Sequence, residues 1–60
     1  MDDVVRIMIV EDDEDFIFLM KKMLEKEPKI YLAATCSRKE DAVHLAMSVN
    51  PKIVLMDLNL

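Results

Sequence analysis

The sequence predicts an α/β fold in which strands and helices alternate in the order β-α-β-α-β. Three short apolar runs are typical of strands buried in a parallel sheet, and the first and third are almost uninterrupted. The two segments between them carry apolar residues at helical spacing and are long enough to connect parallel strands. A chain of 60 residues allows one small domain.

The first strand is predicted over residues 4–10, where valine and isoleucine predominate. A helix is predicted over residues 13–27, with acidic residues at its start and lysines toward its end, as the helix dipole favours. Pro28 ends it, because the residue before a proline is pushed out of the helical region. The apolar face of this helix consists of Phe16, Leu19, Met20, Met23 and Leu24.

The second strand is predicted over residues 30–35 and is less apolar than the first. Ser37 and Glu40 form a capping-box pattern, which predicts that the second helix begins at Ser37. The pair Asn50 and Pro51 is predicted to end that helix.

Carboxylates follow the two most apolar strands. Glu11 and Asp12 come directly after the first strand, and Asp57 follows the third strand, predicted over residues 53–56. Right-handed crossovers and a strand order of 2-1-3 place these strands side by side, with one helix on each face of the sheet. Ligands of open α/β sheets bind outside the carboxyl ends of strands where the strand order reverses. We therefore expect the three carboxylates to meet there.

Three carboxylates in one place repel one another. Each pair about 4 Å apart costs roughly 4 kcal/mol at an effective dielectric constant near 20, and a bound cation or proton relieves this cost. A small set of oxygen ligands favours Mg²⁺, whereas Ca²⁺ takes more protein oxygens. Acidic residues at a helix start, or one acid after a strand, are common without a ligand. Their combination at neighbouring strand ends favours a cation site.

Composition excludes several function classes. The chain contains no glycine, which rules out a P-loop and a dinucleotide fingerprint within it. A net charge of −4 disfavours nucleic-acid binding by this segment, and no apolar run approaches the roughly 20 residues that span a membrane. The single Cys36 permits no internal disulfide, and Asp2 and Asp3 stand where a signal peptide would be positive. These features predict a cytoplasmic location.

Residues 7–13 (Ile-Met-Ile-Val-Glu-Asp-Asp) and residues 53–60 (Ile-Val-Leu-Met-Asp-Leu-Asn-Leu) together resemble the receiver domain of two-component response regulators. The resemblance spans the whole chain, including both helices. It implies a partial flavodoxin-like fold, with residues 1–60 forming the first half of a truncated receiver. The final segment resembles receivers attached to helix-turn-helix transcription factors, which implies a part in transcription regulation.

The resemblance also implies a role for each site residue. Asp57 matches the phosphoacceptor, the catalytic carboxylate that takes a phosphoryl group from a histidine kinase. Asp12 matches a direct Mg²⁺ ligand and Glu11 its partner, often acting through water. Asn59 matches the residue whose backbone carbonyl, with Asp57, completes the protein's share of the metal shell. The hydroxyl and lysine that contact the phosphoryl group belong to later strands of the family, so we expect the fragment alone not to be a competent switch.

Two alternatives remain open. A phosphohydrolase with an aspartate nucleophile would have a second Asp two residues after Asp57, where this chain has Asn59. We therefore expect a signalling module and no enzyme. The other alternative is a self-associating scaffold without phosphotransfer. The third strand would be an unpaired apolar edge and both sheet faces would be partly uncovered, which predicts a homodimer or larger assembly through these surfaces.

Overall fold

The computed structural model describes residues 3–57 and contains the predicted order of elements. It comprises β1 (Val5–Val10), α1 (Glu14–Leu24), β2 (Ile30–Cys36), a 3₁₀ turn (Lys39–Asp41), α2 (Ala42–Val49) and β3 (Ile53–Met56). No helix within these described residues is both long enough and apolar enough to cross a membrane.

The three strands are parallel and lie in the order β2-β1-β3. β1 and β3 pair without interruption, from Ile7 opposite Ile53 to Val10 opposite Met56. The pairing of β1 with β2 shifts between Ile7 and Met8, where β2 contributes one extra residue as a bulge does. The predicted parallel sheet of order 2-1-3 is therefore confirmed.

The central strand β1 forms the core. Met8, Ile9 and Val10 are 1%, 1% and 0% exposed, because β1 is flanked by strands and covered on both faces. Successive side chains of a strand point to opposite faces. Met8 and Val10 pack against Ala42 of α2, whereas Ile9 faces the other side and lines a pocket with Phe16 of α1. The prediction of one helix on each face is confirmed.

The start of α1 is set by Asp13. Its carboxylate oxygen accepts hydrogen bonds from the backbone N–H groups of Asp15 at 2.9 Å and Phe16 at 3.3 Å, which satisfies two amides that a helix start leaves unpaired. The helix ends at Leu24 and not at residue 27 as predicted. The N–H of Glu27 turns back to the Leu24 carbonyl at 3.0 Å, so the chain tightens ahead of the proline.

The predicted capping box at Ser37 is wrong. Ser37 lies in a bend after β2, and the next residue, Arg38, has extended dihedral angles (φ −132°, ψ 132°). A capping box needs a helical residue directly after the cap. The 3₁₀ turn follows instead, and α2 begins only at Ala42, with Asp41 as an N-cap that makes no side-chain hydrogen bond. The helix ends as predicted at Asn50, whose φ of 51° is left-handed.

Candidate metal centre

The backbone fixes two acidic positions at one edge of the sheet. Val10 and Met56 are opposite each other at the end of the β1–β3 pairing. The next residues, Glu11 and Asp57, are each held by a hydrogen bond to a neighbouring strand. The Glu11 N–H donates to the Cys36 carbonyl at 2.9 Å, and the Asp57 N–H donates to the Val10 carbonyl at 3.1 Å. Backbone hydrogen bonds to neighbouring strands therefore fix the positions from which both carboxylates extend.

Glu11, Asp12 and Asp57 come together in the structure. One carboxylate oxygen from each lies within 4.8 Å of the other two. Ligand oxygens around an octahedral Mg²⁺ are about 3 to 4.2 Å apart, given metal–oxygen distances of about 2.1 Å. A side-chain adjustment on the order of 1 Å brings this group into that range. The three oxygens therefore fit a small, hard cation that keeps several of its waters.

The electrostatic cost of the cluster depends on exposure. Glu11 and Asp57 are half-buried, whereas Asp12 is exposed. At a separation near 4.8 Å, the repulsion between two carboxylates ranges from about 1 kcal/mol in water to about 3.5 kcal/mol at an effective dielectric constant of 20. The Glu11 carboxylate also accepts a hydrogen bond from the Asp13 N–H at 3.2 Å, which orients it. The cluster is thus assembled at a moderate cost that a cation would relieve.

A shallow pocket of about 150 Å³ lies beside the acids. Phe16 and Leu55 contribute apolar walls to it, and Glu11 and Asp57 contribute polar ones. Larger grooves of about 360 to 490 Å³ border β2 and do not include the acidic cluster. The geometry of the three carboxylates, and not groove size, identifies the candidate site.

Curated proteins are similar to this chain over nearly its whole length. It is 30% identical over 56 residues to a protein-glutamate methylesterase/protein-glutamine glutaminase 2 of Methanospirillum hungatei, which covers 93% of the chain and 16% of that relative. It is 34% identical over 56 residues to the transcriptional regulatory protein DegU of Brevibacillus brevis, which covers 93% of the chain and 24% of that relative. A third relative, protein-glutamate methylesterase/protein-glutamine glutaminase 1 of Methanosarcina mazei, is 30% identical over 59 residues, covering 98% of the chain and 16% of the relative.

The N-terminal regions of these kinds of protein are receiver domains. These similarities fit a receiver fragment. The predicted resemblance to response-regulator receivers is thereby confirmed. No family model matches the chain, and no solved structure matches it significantly. The chain spans between 16% and 24% of the length of these relatives, whose own activities belong to much longer proteins.

The structure brings together three of the four predicted ligand residues at the candidate site. The expected proximity of Glu11, Asp12 and Asp57 is confirmed, and their chemical roles stay predictions. Asn59, the fourth, lies outside the described residues. Asp13, although adjacent in sequence, uses its carboxylate to cap α1.

Sequence reasoning missed the place of Phe16 beside the acidic cluster. Its helical spacing had put it with the other apolar residues of α1, but in the structure it forms a wall of the acidic pocket. The signal for this is its position in the first turn of α1, three residues after the Asp13 cap, because that turn lies nearest the strand ends.

Proposed function

We propose that this receiver-type segment carries a Mg²⁺-dependent phosphoacceptor site, in which Asp57 takes a phosphoryl group from a histidine kinase. The observation that supports this proposal is the meeting of Glu11, Asp12 and Asp57 at the carboxyl ends of neighbouring parallel strands. These three carboxylates, with the backbone carbonyl of Asn59, would hold the cation. The share of Asn59 rests on the family resemblance.

Asp57 supplies the nucleophile. One of its carboxylate oxygens bonds to the phosphorus of a phosphohistidine, while the P–N bond breaks and its electron pair stays on the imidazole nitrogen. The product is an acyl phosphate on Asp57. A bound Mg²⁺ would offset the negative charge on the transferring phosphoryl oxygens. Glu11 and Asp12 would hold the cation beside the nucleophile, and the hydrogen bond from the Asp57 N–H to the Val10 carbonyl holds the nucleophile's backbone in place.

Phosphorylation of residues 1–60 alone is not expected to operate a switch. The resemblance assigns the hydroxyl and lysine that contact the phosphoryl group to later strands of a receiver, so these 60 residues hold the acceptor without that response. We expect no enzymatic turnover of other substrates. A cytoplasmic location is proposed from the resemblance and from Cys36, a free thiol. A part in transcription regulation rests on the resemblance and on the similarity to DegU.

Self-association is the second candidate function. All four side chains of β3 are 37–47% exposed although they are apolar, and within the described residues β3 pairs only with β1. Chains of this length bury only about 60% of their surface, so additional burial contributes strongly to stability. We propose that a second copy covers part of this exposed apolar surface.

Incubation with acetyl phosphate and Mg²⁺, followed by intact-mass spectrometry, tests the phosphoacceptor proposal. We expect one added phosphoryl group per chain, which requires Mg²⁺ and is lost in Asp57→Asn. Glu14→Gln is the matched control, because it removes a nearby acidic charge outside the cluster and should be modified like the unaltered chain. Mg²⁺ binding without any modification would favour the scaffold alternative over the phosphoacceptor.

A further inference from the structure

Glu11 is held both at its backbone and at its carboxylate. Its N–H donates to the Cys36 carbonyl of β2 at 2.9 Å. Its carboxylate oxygen Oε2 accepts a hydrogen bond from the Asp13 N–H at 3.2 Å. Glutamate is among the side chains that lose the most rotamer entropy when they become ordered. In Glu11 a peptide N–H offsets part of this loss before any cation binds.

Asp13 contributes two different groups to this corner of the molecule. Its carboxylate oxygen Oδ1 accepts from the N–H groups of Asp15 and Phe16, which starts α1. Its own N–H donates in the other direction along the chain, to Glu11. Every residue type except proline carries this N–H. The orientation of one proposed cation ligand is therefore tied to the backbone of the α1 cap.

The hydrogen bond leaves room for a cation on the Glu11 carboxylate. An ionised carboxylate offers about four lone-pair sites, and the Asp13 N–H uses one of them. Mg²⁺ demands near-octahedral geometry at about 2.0–2.1 Å, whereas Ca²⁺ accepts about six to eight oxygens at about 2.3–2.6 Å in flexible arrangements. A carboxylate that is already oriented therefore favours Mg²⁺ over Ca²⁺.

We propose that the Asp13 N–H is a positioning group that gives the acidic cluster its preference for Mg²⁺ over Ca²⁺, by holding the Glu11 carboxylate in one orientation. The inference rests on the cation site proposed above and adds the source of its selectivity. Groups that orient metal ligands typically change metal affinity by about 10–100-fold when they are removed. The Asp13 N–H acts on the cation only through Glu11.

Two backbone esters test this role in the full 60-residue chain. Replacing Asp13 by L-malic acid exchanges its N–H for an ester oxygen and keeps its carboxylate side chain. Replacing Asp15 in the same way is the matched control, because the Asp15 N–H donates to Asp13 and not to Glu11. Each ester removes one backbone N–H from the start of α1. Chemical ligation of residues 1–35 to residues 36–60 gives both chains, since residue 36 is a cysteine.

Isothermal titration calorimetry with Mg²⁺ and with Ca²⁺ measures the selectivity of each chain. We expect the Asp13 ester to raise the Mg²⁺ dissociation constant about tenfold and the Ca²⁺ dissociation constant less than about threefold. We expect the Asp15 ester to change each constant by less than about twofold. A merely structural role would lower the folded fraction and weaken the binding of both ions by the same factor. The ratio of the two constants is therefore the decisive readout.

Asp13→Pro and Asp13→Ala repeat the comparison by substitution and decide it where an ester chain does not fold. Both variants lose the carboxylate that caps α1, and only proline also loses the N–H. The φ of −87° at Asp13 lies close to the values that proline takes. We expect the preference for Mg²⁺ to fall at least about threefold in Asp13→Pro and to stay within about twofold of the unaltered chain in Asp13→Ala.

The outcomes separate this inference from the proposed function. Mg²⁺ affinity that the Asp13 and Asp15 esters change equally would overturn the positioning role and leave the cation site standing. An unaltered chain that binds Ca²⁺ as tightly as Mg²⁺ would also overturn this inference alone. An unaltered chain that binds no Mg²⁺ would overturn both the inference and the Mg²⁺-dependent phosphoacceptor site.

Discussion

Val10 and Met56 face each other at the last paired position of β1 and β3. The residue that follows each of them is acidic, Glu11 on one strand and Asp57 on the other. Because parallel strands end at the same edge of the sheet, this one register pair brings two carboxylates together. A slip of one residue in β3 would turn every side chain of that strand to the opposite face. The candidate site is therefore a consequence of strand register.

Removing one acid of the cluster should weaken Mg²⁺ binding. We expect Asp12→Asn to raise the Mg²⁺ dissociation constant by about tenfold or more, because a neutral amide replaces a charged ligand. Isothermal titration calorimetry measures the change. Glu14→Gln removes an acid of the same helix start from outside the cluster and should have no such effect. Equal weakening by both variants would mean that only the overall negative charge attracts the cation.

Although Asp12→Asn should weaken Mg²⁺ binding, it should stabilise the fold when no cation is present. Without Mg²⁺, we expect Asp12→Asn to raise the free energy of unfolding by about 1 kcal/mol, because it relieves repulsion at an exposed position. With Mg²⁺ at one hundred times its dissociation constant, the unaltered chain should gain about 2.7 kcal/mol and become the more stable of the two. Urea unfolding with and without a chelator tests this reversal. A variant that is less stable under both conditions would show that the three carboxylates do not repel one another appreciably.

The strands and the acids could be predicted from sequence because a buried strand of a parallel sheet is visible as an apolar run. The third strand was predicted with its observed bounds, Ile53–Met56, and the position of Asp57 followed from it. The start of α2 could not be predicted, since it depends on the extended conformation of Arg38 and not on the Ser-x-x-Glu pattern. Local pattern does not determine how the chain leaves one strand for the next helix.

The exposure of the apolar face of α1 also could not be predicted from the sequence. Spacing grouped five apolar residues on α1, but coverage depends on how much sheet lies beneath them. Met20 and Leu24 are half-buried, whereas Leu19 and Met23 are exposed because they lie toward the β3 side. Periodicity therefore indicates which residues share a face, and the width of the sheet decides how much of that face is buried.

The cap of α1 makes a separate prediction. Asp13→Ala removes the oxygen that accepts from the N–H groups of Asp15 and Phe16, and should lower the free energy of unfolding by about 1 kcal/mol. Asp13→Asn keeps an acceptor oxygen and should cost only a few tenths of that amount. Neither change should alter Mg²⁺ affinity by more than about twofold, because the Asp13 side chain does not belong to the cluster. A tenfold loss of Mg²⁺ affinity in Asp13→Asn would place Asp13 among the ligands.

Because Ile9 is buried in a small core, truncating its side chain should lower the free energy of unfolding strongly. Ile9 is 1% exposed, and Ile9→Val should lower the free energy of unfolding by about 0.5–1.5 kcal/mol while the transition stays cooperative. Ile9→Ala should lower the free energy of unfolding by about 2–5 kcal/mol. A core of this size rarely supplies more than about 3–5 kcal/mol in total, so the loss is comparable with the whole stability of the fold. We therefore expect Ile9→Ala to abolish the cooperative transition in urea, followed by circular dichroism. Met47→Ala, at a side chain that is 78% exposed, is the control and should unfold like the unaltered chain. A cooperative transition retained in Ile9→Ala would show that burial elsewhere, including burial against a second copy, carries more of the stability than β1 does.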